Sequence, residues 1–539
     1  MRPTAAEHYR SQGWWPERSV GAMVRSRAAR NPEGLAYIGD RGTLSWAEYD
    51  SRADHLAARL AGLGLQVGDR VAVRMPDGPP LHVAYLACER AGLVIVGVPL
   101  RAGDREVDSL LRTTEASALI CPPADRDRAA AEFVRELRTR GARLNFHVEV
   151  HDEEVVSFDW RAGAMEAFPD QAAPITGREL AVGDLWMISP TSGTTGLPKC
   201  VQQVQLKFMY MVRLAEEAAN LGDGDVMMVV VPNSVAFGLW SAHMLPAQLG
   251  VPCVLRERFD ATDMMRAIAE HRVTVLAAVT TQFLLMLTDQ AFAEADLSSL
   301  RVLYTGGERI PPDRAREWEG RTGSTILTFY GSSEIGPLTY TRLADDADVR
   351  LSTVGRIVPG TECRLFDEQG KDVTASGGPA QPGGRGPGVF GGYWQDDEAN
   401  AALFTSDGFL LMPDLVTVDE EGLMRVVGRK ADIIIRGGKN LSAARIEEEV
   451  GSHPDIDLVA AVAVPDPVFG ERVCAVVTLR NARRSLSLAD LSDHLADRGV
   501  GKEYFPEQLL IVEDMPQSAG GKIAKSELKA TIAARSTAG

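Results

Sequence analysis

Residues 191–200 read TSGTTGLPKC, and this stretch decides the fold class and the chemistry of the chain. Hydroxyl side chains and two glycines fill its first six positions, and Lys199 follows. Glycine lets a backbone approach a ligand closely, and free backbone N–H groups with hydroxyls and an ammonium form a cradle for anions. The natural ligand of such a loop is a polyphosphate. The spacing is not Gly-x-x-x-x-Gly-Lys-Ser/Thr, so the loop is not of the Walker type.

Length and composition bound the class of protein. With 539 residues, 45% of them apolar, the chain is expected to form at least two well-packed domains. Neither an apolar run of about 18 residues nor the apolar stretch of a signal peptide is present, so no membrane span or secretion is expected. The six cysteines are scattered singly, which favours neither a zinc site nor disulfides and indicates a reducing compartment, the cytoplasm.

The charge balance excludes some partners. Acidic residues number 74 against 57 basic ones, which gives a formal charge of −17. A net negative field repels nucleic acids and anionic membrane surfaces, so neither is expected as a partner. An anionic nucleotide needs a locally positive site, and the loop that contains Lys199 can supply one.

The distribution of apolar residues predicts an α/β fold. A helix is expected over residues 50–60, a turn and strand over 68–75, and buried strands over 226–232 and 273–279. Short continuous apolar runs are typical of parallel strands that are covered on both faces. Residues 379–388, rich in proline and glycine, are expected to form a loop.

The pattern restarts near residues 428–432. A strand over 433–438, a helix over 443–450 and a strand over 457–464 indicate a second domain of roughly a hundred residues. We therefore expect an N-terminal domain over 1–430 and a C-terminal domain over 431–539.

The loop at 191–200 resembles the phosphate-binding motif of the adenylate-forming superfamily, which comprises acyl-CoA synthetases, luciferases and peptide-synthetase adenylation domains. Four further motifs follow in the family's order, and the resemblance runs from about Trp14 to Leu528. It implies a large N-terminal domain of α/β subdomains and a small mobile C-terminal α+β domain. Cys200 departs from the family's glycine.

The resemblance implies roles for individual residues. Tyr330 would stack on adenine, Glu334 would bind the Mg²⁺ of MgATP, and Lys522 in PQSAGGKI (516–523) would be the catalytic lysine. Asp414 and Arg429 would bind the ribose. Thr195 would act in catalysis with Glu334 and Lys522. The residues implied to bind ATP are Thr191, Ser192, Gly193, Thr194, Thr195, Gly196, Lys199, Gly306, Gly307, Glu308, Tyr330, Gly331, Ser332, Ser333, Asp414, Arg429 and Lys522.

The C-terminal motifs depart from the family's sequence at two places and contain one further predicted site, for the thiol acceptor. Met412-Pro413 replaces the family's Thr-Gly before the ribose aspartate, and Ala431 occupies the usual hinge position. Hinges need only absorb a change of φ and ψ, so alanine need not abolish motion. Gly437 and Gly438 resemble the glycine pair that borders the pantetheine channel of thioester-forming members, which implies CoA or a carrier-protein pantetheine as acceptor.

The acyl pocket is assigned to Val235, Ala236, Phe237, Trp240 and Gly331. Val235 stands where many members have histidine, and the aspartate with which amino-acid activators hold an ammonium is absent. An unpaired ammonium would be costly to bury, so α-amino acids are disfavoured. Residues 9–15 resemble dihydroxybenzoate activators and alicyclic-acid ligases, so a largely apolar aromatic or alicyclic acid is expected.

Three functions remain open. The first is an acid–CoA ligase that forms an acyl-adenylate from ATP and then a thioester. The second is a stand-alone enzyme that loads an acyl carrier protein in natural-product biosynthesis, and the third activates another oxyanion such as nitrite. A decayed nucleotide-binding protein is disfavoured by the intact Glu334, Asp414 and Lys522. The acceptor and the oligomeric state, a homodimer included, stay open.

Overall fold

The computed structural model describes residues 5–125, 128–151, 154–190, 199–308, 310–389, 391–429, 432–436, 439–466, 470–480, 485–518 and 522–537. Its contacts divide the chain into two compact units. Unit 1 comprises Met1–Ala277, Ser332–Gly336 and Gly386–Leu403, and unit 2 comprises Ala278–Gly331, Pro337–Arg385 and Phe404–Gly539. The predicted boundary at residues 430 and 431 stays a prediction.

The helices alternate with strands along most of the chain. In chain order they are α1 (Ala5–Ser11), α2 (Val20–Arg30), α3 (Trp46–Gly62), α4 (Pro79–Arg90), α5 (Asp104–Thr114), α6 (Ala130–Thr139), α7 (Gln205–Ala219), α8 (Ala236–Gly238), α9 (Leu245–Leu249), α10 (Ala261–His271), α11 (Thr280–Thr288), α12 (Pro312–Thr322), α13 (Ala347–Ser352), α14 (Asp397–Leu403), α15 (Ala443–Gly451), α16 (Leu488–Asp497) and α17 (Lys525–Thr537).

The strands are short in the first half of the chain and longest near its C-terminus. They are β1 (Leu35–Gly39), β2 (Gly42–Ser45), β3 (Arg70–Val73), β4 (Val94–Gly97), β5 (Ala118–Cys121), β6 (Ala124–Asp125), β7 (Arg128–Ala129), β8 (Phe146–His151), β9 (Glu154–Asp159), β10 (Glu166–Ala167), β11 (Met187–Pro190), β12 (Cys200–Gln203), β13 (Met227–Val229), β14 (Cys253–Val254), β15 (Val275–Ala277), β16 (Val302–Gly306), β17 (Thr325–Ser332), β18 (Gly336–Tyr340), β19 (Arg356–Ile357), β20 (Glu362–Phe366), β21 (Gln381–Arg385), β22 (Leu410–Leu411), β23 (Asp414–Val418), β24 (Met424–Arg429), β25 (Ile433–Arg436), β26 (Lys439–Ser442), β27 (Ile456–Asp466), β28 (Gly470–Leu479) and β29 (Gln508–Ile511).

Unit 1 is built on two sheets. One has the strand order β10-β9-β8-β5-β3-β4-β11-β12, and the other contains the run β15-β13-β14-β1-β2. Strands β3, β4, β5 and β11 are joined by parallel pairs, as are β1, β13, β14 and β15. The parallel α/β architecture expected from the short apolar runs is therefore confirmed.

Local signals explain where the helices begin. The helix expected over residues 50–60 is α3, which starts four residues earlier because Ser45 and Glu48 form a reciprocal capping box. Its buried residues include Ala53, Leu56 and Leu60, which recur at helical spacing. The spacing of apolar residues that predicts this helix is therefore the spacing of its buried face.

Unit 2 contains the run β19-β18-β17-β16, two small antiparallel sheets and a C-terminal sheet. The C-terminal sheet has the order β26-β25-β28-β27, and β29 pairs in parallel with β28. Ile446 and Val450 of α15 belong to the core on this sheet together with Ile434, Val473 and Val477. Helix α15 and strand β27 match the predicted helix over 443–450 and strand over 457–464.

The prediction of a loop over residues 379–388 is wrong. Residues Gln381–Arg385 form β21, which pairs with both β20 and β22. Proline lacks a donor, but the carbonyl of Pro382 still accepts from the Met412 N–H at 2.9 Å. A side chain at Gly383 would lie 2.6 Å from the Phe366 ring, so glycine is required by close packing rather than by a turn.

Among the residues that the structure describes, none of the helices combines the length and hydropathy that a bilayer-spanning helix requires.

Candidate active site

The phosphate-binding loop itself lies largely outside the described residues. Thr191, Ser192, Gly193, Thr194, Thr195 and Gly196 belong to that segment, and their assigned roles stay predictions. Lys199 and Cys200 at its end are described. The Lys199 ammonium lies 4.8 Å from the centroid of the Tyr393 ring, within the range of a cation–π interaction.

Cys200 begins β12 and fills space in the core of unit 1. The residue is 4% exposed and clusters with Val96, Val98 and Ile188. Burial raises the pKa of its thiol to about 12, so the side chain is a neutral apolar group rather than a nucleophile. The departure from glycine at this position therefore has a structural explanation.

Glu334 is held by a contact that the motif does not contain. The Tyr393 hydroxyl donates to Glu334 Oε1 at 2.9 Å. The Ser332 hydroxyl oxygen accepts from the Glu334 backbone N–H at 3.2 Å, which fixes the turn that carries the carboxylate. For the part of the chain that the structure describes, no hydrogen bond to Oε2 is found. A carboxylate oriented in this way has the chemistry of a Mg²⁺ ligand.

Lys207 is a buried cation beside the same turn. Its ammonium donates to the carbonyl oxygen of Ser333, which also accepts from Gln203 Nε2 at 3.3 Å. Burial lowers the pKa of Lys207 to about 7, and the charge of Glu334 opposes that shift. The sequence reading missed Lys207, although a lysine among apolar residues on α7 was a usable signal.

Four of the five residues assigned to the acyl pocket lie on one stretch of unit 1, whereas Gly331 lies in unit 2. Val235, Ala236 and Phe237 are half-buried, whereas Trp240 is 2% exposed. The Phe237 and Trp240 rings stack with centroids 5.5 Å apart. The stretch is anchored to the start of α4, because the Asn233 N–H donates to Asp77 Oδ1 at 2.9 Å. Val235, Ala236 and Phe237 are thus the partly exposed apolar residues of this stretch, and Trp240 packs behind Phe237.

Asp414, Arg429 and Tyr330 form one hydrogen-bonded group in unit 2. Arg429 Nε lies 2.9 Å from Asp414 Oδ1, and the Tyr330 hydroxyl donates to Asp414 Oδ2 at 3.0 Å. Asp414 pairs with Arg429 across β23 and β24, so the sheet register brings the two side chains together. The preceding Met412-Pro413 leaves this arrangement intact.

Gly306 and Gly307 end β16 where other parts of the chain approach closely. A Cβ on Gly306 would lie 2.5 Å from the Phe329 carbonyl oxygen, in the strand that leads to Tyr330 and Gly331. Gly307 has φ +80°, and a Cβ there would lie 2.6 Å from Lys522 Nζ. Gly306 is therefore required by the close approach of backbone, and Gly307 by its left-handed conformation.

The described residues on either side of residues 519–521, Lys522 among them, are joined by backbone hydrogen bonds. The Ser518 N–H donates to the Lys522 carbonyl at 2.6 Å, and the Ala524 N–H donates to the Pro516 carbonyl at 2.8 Å. Three residues on, Lys525 Nζ lies 2.7 Å from Glu447 and 3.5 Å from Asp432. The sequence reading missed Lys525, because its partners lie far away along the chain.

Gly437 and Gly438, assigned to the pantetheine channel, and Ala431, at the hinge, also lie outside the described residues. Their roles stay predictions.

Residues 24–394 match the family model of the AMP-binding enzyme, and residues 445–522 match that of the AMP-binding enzyme C-terminal domain. The chain belongs to the AMP-binding enzyme family. This confirms that the chain is an adenylate-forming enzyme of the predicted fold class. It also confirms the predicted enzyme class, an AMP-forming ligase that uses ATP.

Three similar proteins illustrate the range of the family. The chain is 30% identical to the medium-chain fatty-acid–CoA ligase of Escherichia coli (strain K12), over 98% of this chain and 93% of that one. It is 31% identical to the salicyl-AMP ligase / salicyl-S-ArCP synthetase of Mycobacterium tuberculosis (strain ATCC 25618 / H37Rv), over 96% and 92%. The ATP-bound MatB structure from Rhodopseudomonas palustris superposes with a TM-score of 0.79 at 28% identity, over 95% and 98%.

Proposed function

We propose that the protein uses ATP to convert a largely apolar aromatic or alicyclic carboxylic acid into an acyl-adenylate and then transfers the acyl group to the thiol of CoA. The observation that carries the proposal is the position of Lys522, whose ammonium lies against Gly307 at the end of β16. A lysine near a chain terminus is ordinarily a solvated charge. Here the ammonium lies beside Gly307, and the family resemblance implies that Gly306 and Gly307 bind the nucleotide.

The first half-reaction is attack of the substrate carboxylate on the α-phosphorus of ATP, which releases pyrophosphate. Negative charge accumulates on the phosphoryl oxygens as the new bond forms, and a positioned ammonium stabilises that charge. We assign this role to Lys522. Asp414 can accept hydrogen bonds from both ribose hydroxyls, since Arg429 and Tyr330 hold its two oxygens in a fixed plane.

The metal role of Glu334 fits its surroundings. The Tyr393 hydroxyl holds Oε1, so the carboxylate can present Oε2 as a hard oxygen ligand. Bound Mg²⁺ would neutralise phosphate charge. Lys199 and the hydroxyls of Thr191, Ser192, Thr194 and Thr195 are proposed to bind the phosphate oxygens, and Thr195 is also proposed to act in catalysis.

The substrate assignment rests on the stretch that contains Val235 and Trp240. An apolar aromatic surface gains about 25 cal/mol per Å² of substrate that it buries, and it offers no partner to an α-ammonium. We therefore propose acids with a flat or cyclic apolar body, and exclude free α-amino acids.

Transfer to a carrier-protein pantetheine is the second candidate function. It is favoured by the similarity to a relative whose name includes S-ArCP synthetase. Both candidates share the adenylation step and differ in the acceptor, which Gly437 and Gly438 are proposed to border.

The substrate proposal is tested by pocket variants. Val235→His and Ala236→Asp should change the order of preference among aromatic, alicyclic and α-amino acids in ATP–pyrophosphate exchange, while the Kd for ATP stays within about twofold. The matched control is Val156→His, an exposed apolar residue of β9. If the preference among acids is the same in every variant, Val235 and Ala236 do not line the pocket.

A further inference from the structure

Glu308 is a half-buried carboxylate whose hydrogen bonds go to another part of unit 2. Its Oε2 accepts from the Thr281 backbone N–H at 3.0 Å, and both oxygens lie 3.1 Å from the Thr281 hydroxyl. Thr281 lies in the first turn of α11, where backbone N–H groups lack partners inside the helix. The carboxylate is thus held by the start of a helix on one side.

On its other side, Glu308 faces the loop that carries Lys522. Burial raises the pKa of Glu308, and the Thr281 N–H, the Lys522 ammonium and the Ile523 N–H act in the opposite direction. The adjacent Gly307 leaves room for Lys522 Nζ, which lies 2.6 Å from where a Cβ would stand. The carboxylate is therefore hydrogen-bonded to the start of α11, and it lies close enough to the Lys522 ammonium for the two charges to interact.

We infer that Glu308 is a positioning residue, which fixes Lys522 over Gly307 for the adenylation step. The family resemblance implies instead that Glu308 binds the nucleotide. The inference rests on the proposed adenylation reaction. Lys525, bonded to Glu447 and Asp432, holds the same loop from its C-terminal side. Glu308 and Lys525 thus both act on the C-terminal side of the loop, where Lys522 lies.

Three variants separate this role from the alternatives. Glu308→Gln keeps the size of the side chain and removes its charge. Thr281→Val keeps the backbone donor and removes the hydroxyl. Glu319→Gln is the matched control, since Glu319 is a partly buried carboxylate of unit 2 that binds Arg350 and the Ile326 N–H instead.

The first experiment measures the two half-reactions separately. Pyrophosphate exchange reports adenylation, thioester formation from synthetic acyl-adenylate reports the second step, and calorimetry gives the Kd for ATP. Loss of a hydrogen bond to a charged group lowers a rate by about 10- to 100-fold. We expect Glu308→Gln to lower the rate of pyrophosphate exchange by this factor and to leave thioester formation unchanged. Thr281→Val should lose less, and Glu319→Gln should match wild type. Equal losses in both steps, or an ATP Kd that weakens by the same factor as exchange, would overturn the inference.

The second readout needs no turnover. Acetic anhydride labelling followed by mass spectrometry compares Lys522 with Lys529, which is exposed on α17. Glu308→Gln should raise the relative labelling of Lys522 about tenfold, because the ammonium loses its counter-charge and its fixed position. Unchanged labelling would overturn the inference, whatever the enzyme's substrate. If wild type catalyses no exchange with any acid, but Lys522 labelling still rises in Glu308→Gln, the proposed function is refuted. The positioning of Lys522 by Glu308 is then still supported.

Discussion

The hydroxyl of Tyr393 is expected to set how well Glu334 binds magnesium. Tyr393→Phe deletes the hydroxyl that donates to Glu334 Oε1 at 2.9 Å and keeps the ring beneath Lys199. A hydrogen bond to a charged group contributes about 1.5 to 3 kcal/mol. Because Glu334 is half-buried, the lower end applies, and about 1.5 kcal/mol corresponds to roughly 12-fold.

The assay is pyrophosphate exchange as a function of free Mg²⁺. Tyr393→Phe should raise the Mg²⁺ concentration at half-maximal rate by roughly 12-fold and leave the rate at saturating Mg²⁺ close to wild type. Tyr393→Leu, which also removes the ring, should in addition weaken ATP binding through Lys199. A Mg²⁺ dependence that changes less than about twofold in Tyr393→Phe would refute the reasoning, since the bond would then contribute nothing.

Three further predictions concern Gly307, Asp414 and Lys207. Gly307→Ala places a methyl group 2.6 Å from Lys522 Nζ at φ +80°, so exchange should fall at least tenfold while ATP binding in calorimetry is retained. Asp414→Asn removes the charge that pairs with Arg429 at 2.9 Å, so calorimetry should show the Kd for ATP rise about tenfold; an unchanged Kd would remove Asp414 from the ribose site. Burial lowers the pKa of Lys207 to about 7, so the native protein binds fewer protons than the unfolded chain between about pH 7 and 10, and stability should rise with pH across that window. Urea unfolding at pH 7 and pH 9 should show this increment in wild type and its loss in Lys207→Met; equal increments in both would contradict the lowered pKa of Lys207.

The motifs could be predicted from the sequence, whereas the residues that hold the motif side chains in place could not. Asp414, Glu334 and Lys522 stand in contiguous segments whose residue types and order identify them. Tyr393 and Thr281 act on Glu334 and Glu308 from positions 59 and 27 residues away along the chain, and only the folded sheets bring them near. No local pattern marks a tyrosine or threonine that will meet a distant carboxylate.

The same distinction explains the error over residues 379–388. Proline and glycine predict turns from their local conformational preferences. Gly383, however, is set by the Phe366 ring that packs against it in the small sheet, which is a tertiary constraint. Cys200 shows the reverse case, because a thiol where the family has glycine looked like a departure from function and proves to be core packing.

We propose that the protein adenylates a carboxylic acid and that Lys522 supplies the catalytic ammonium. The most direct measurement is ATP–pyrophosphate exchange by wild type and Lys522→Ala across a panel of aromatic, alicyclic, fatty and α-amino acids, with thioester formation from the matching synthetic adenylate measured in parallel. An aromatic or alicyclic acid should give exchange that Lys522→Ala abolishes, while the second step survives the substitution. Exchange that is best with an α-amino acid, losses that are equal in both steps, or ATP consumption that requires nitrite and an aryl amine rather than any carboxylic acid would contradict the claim.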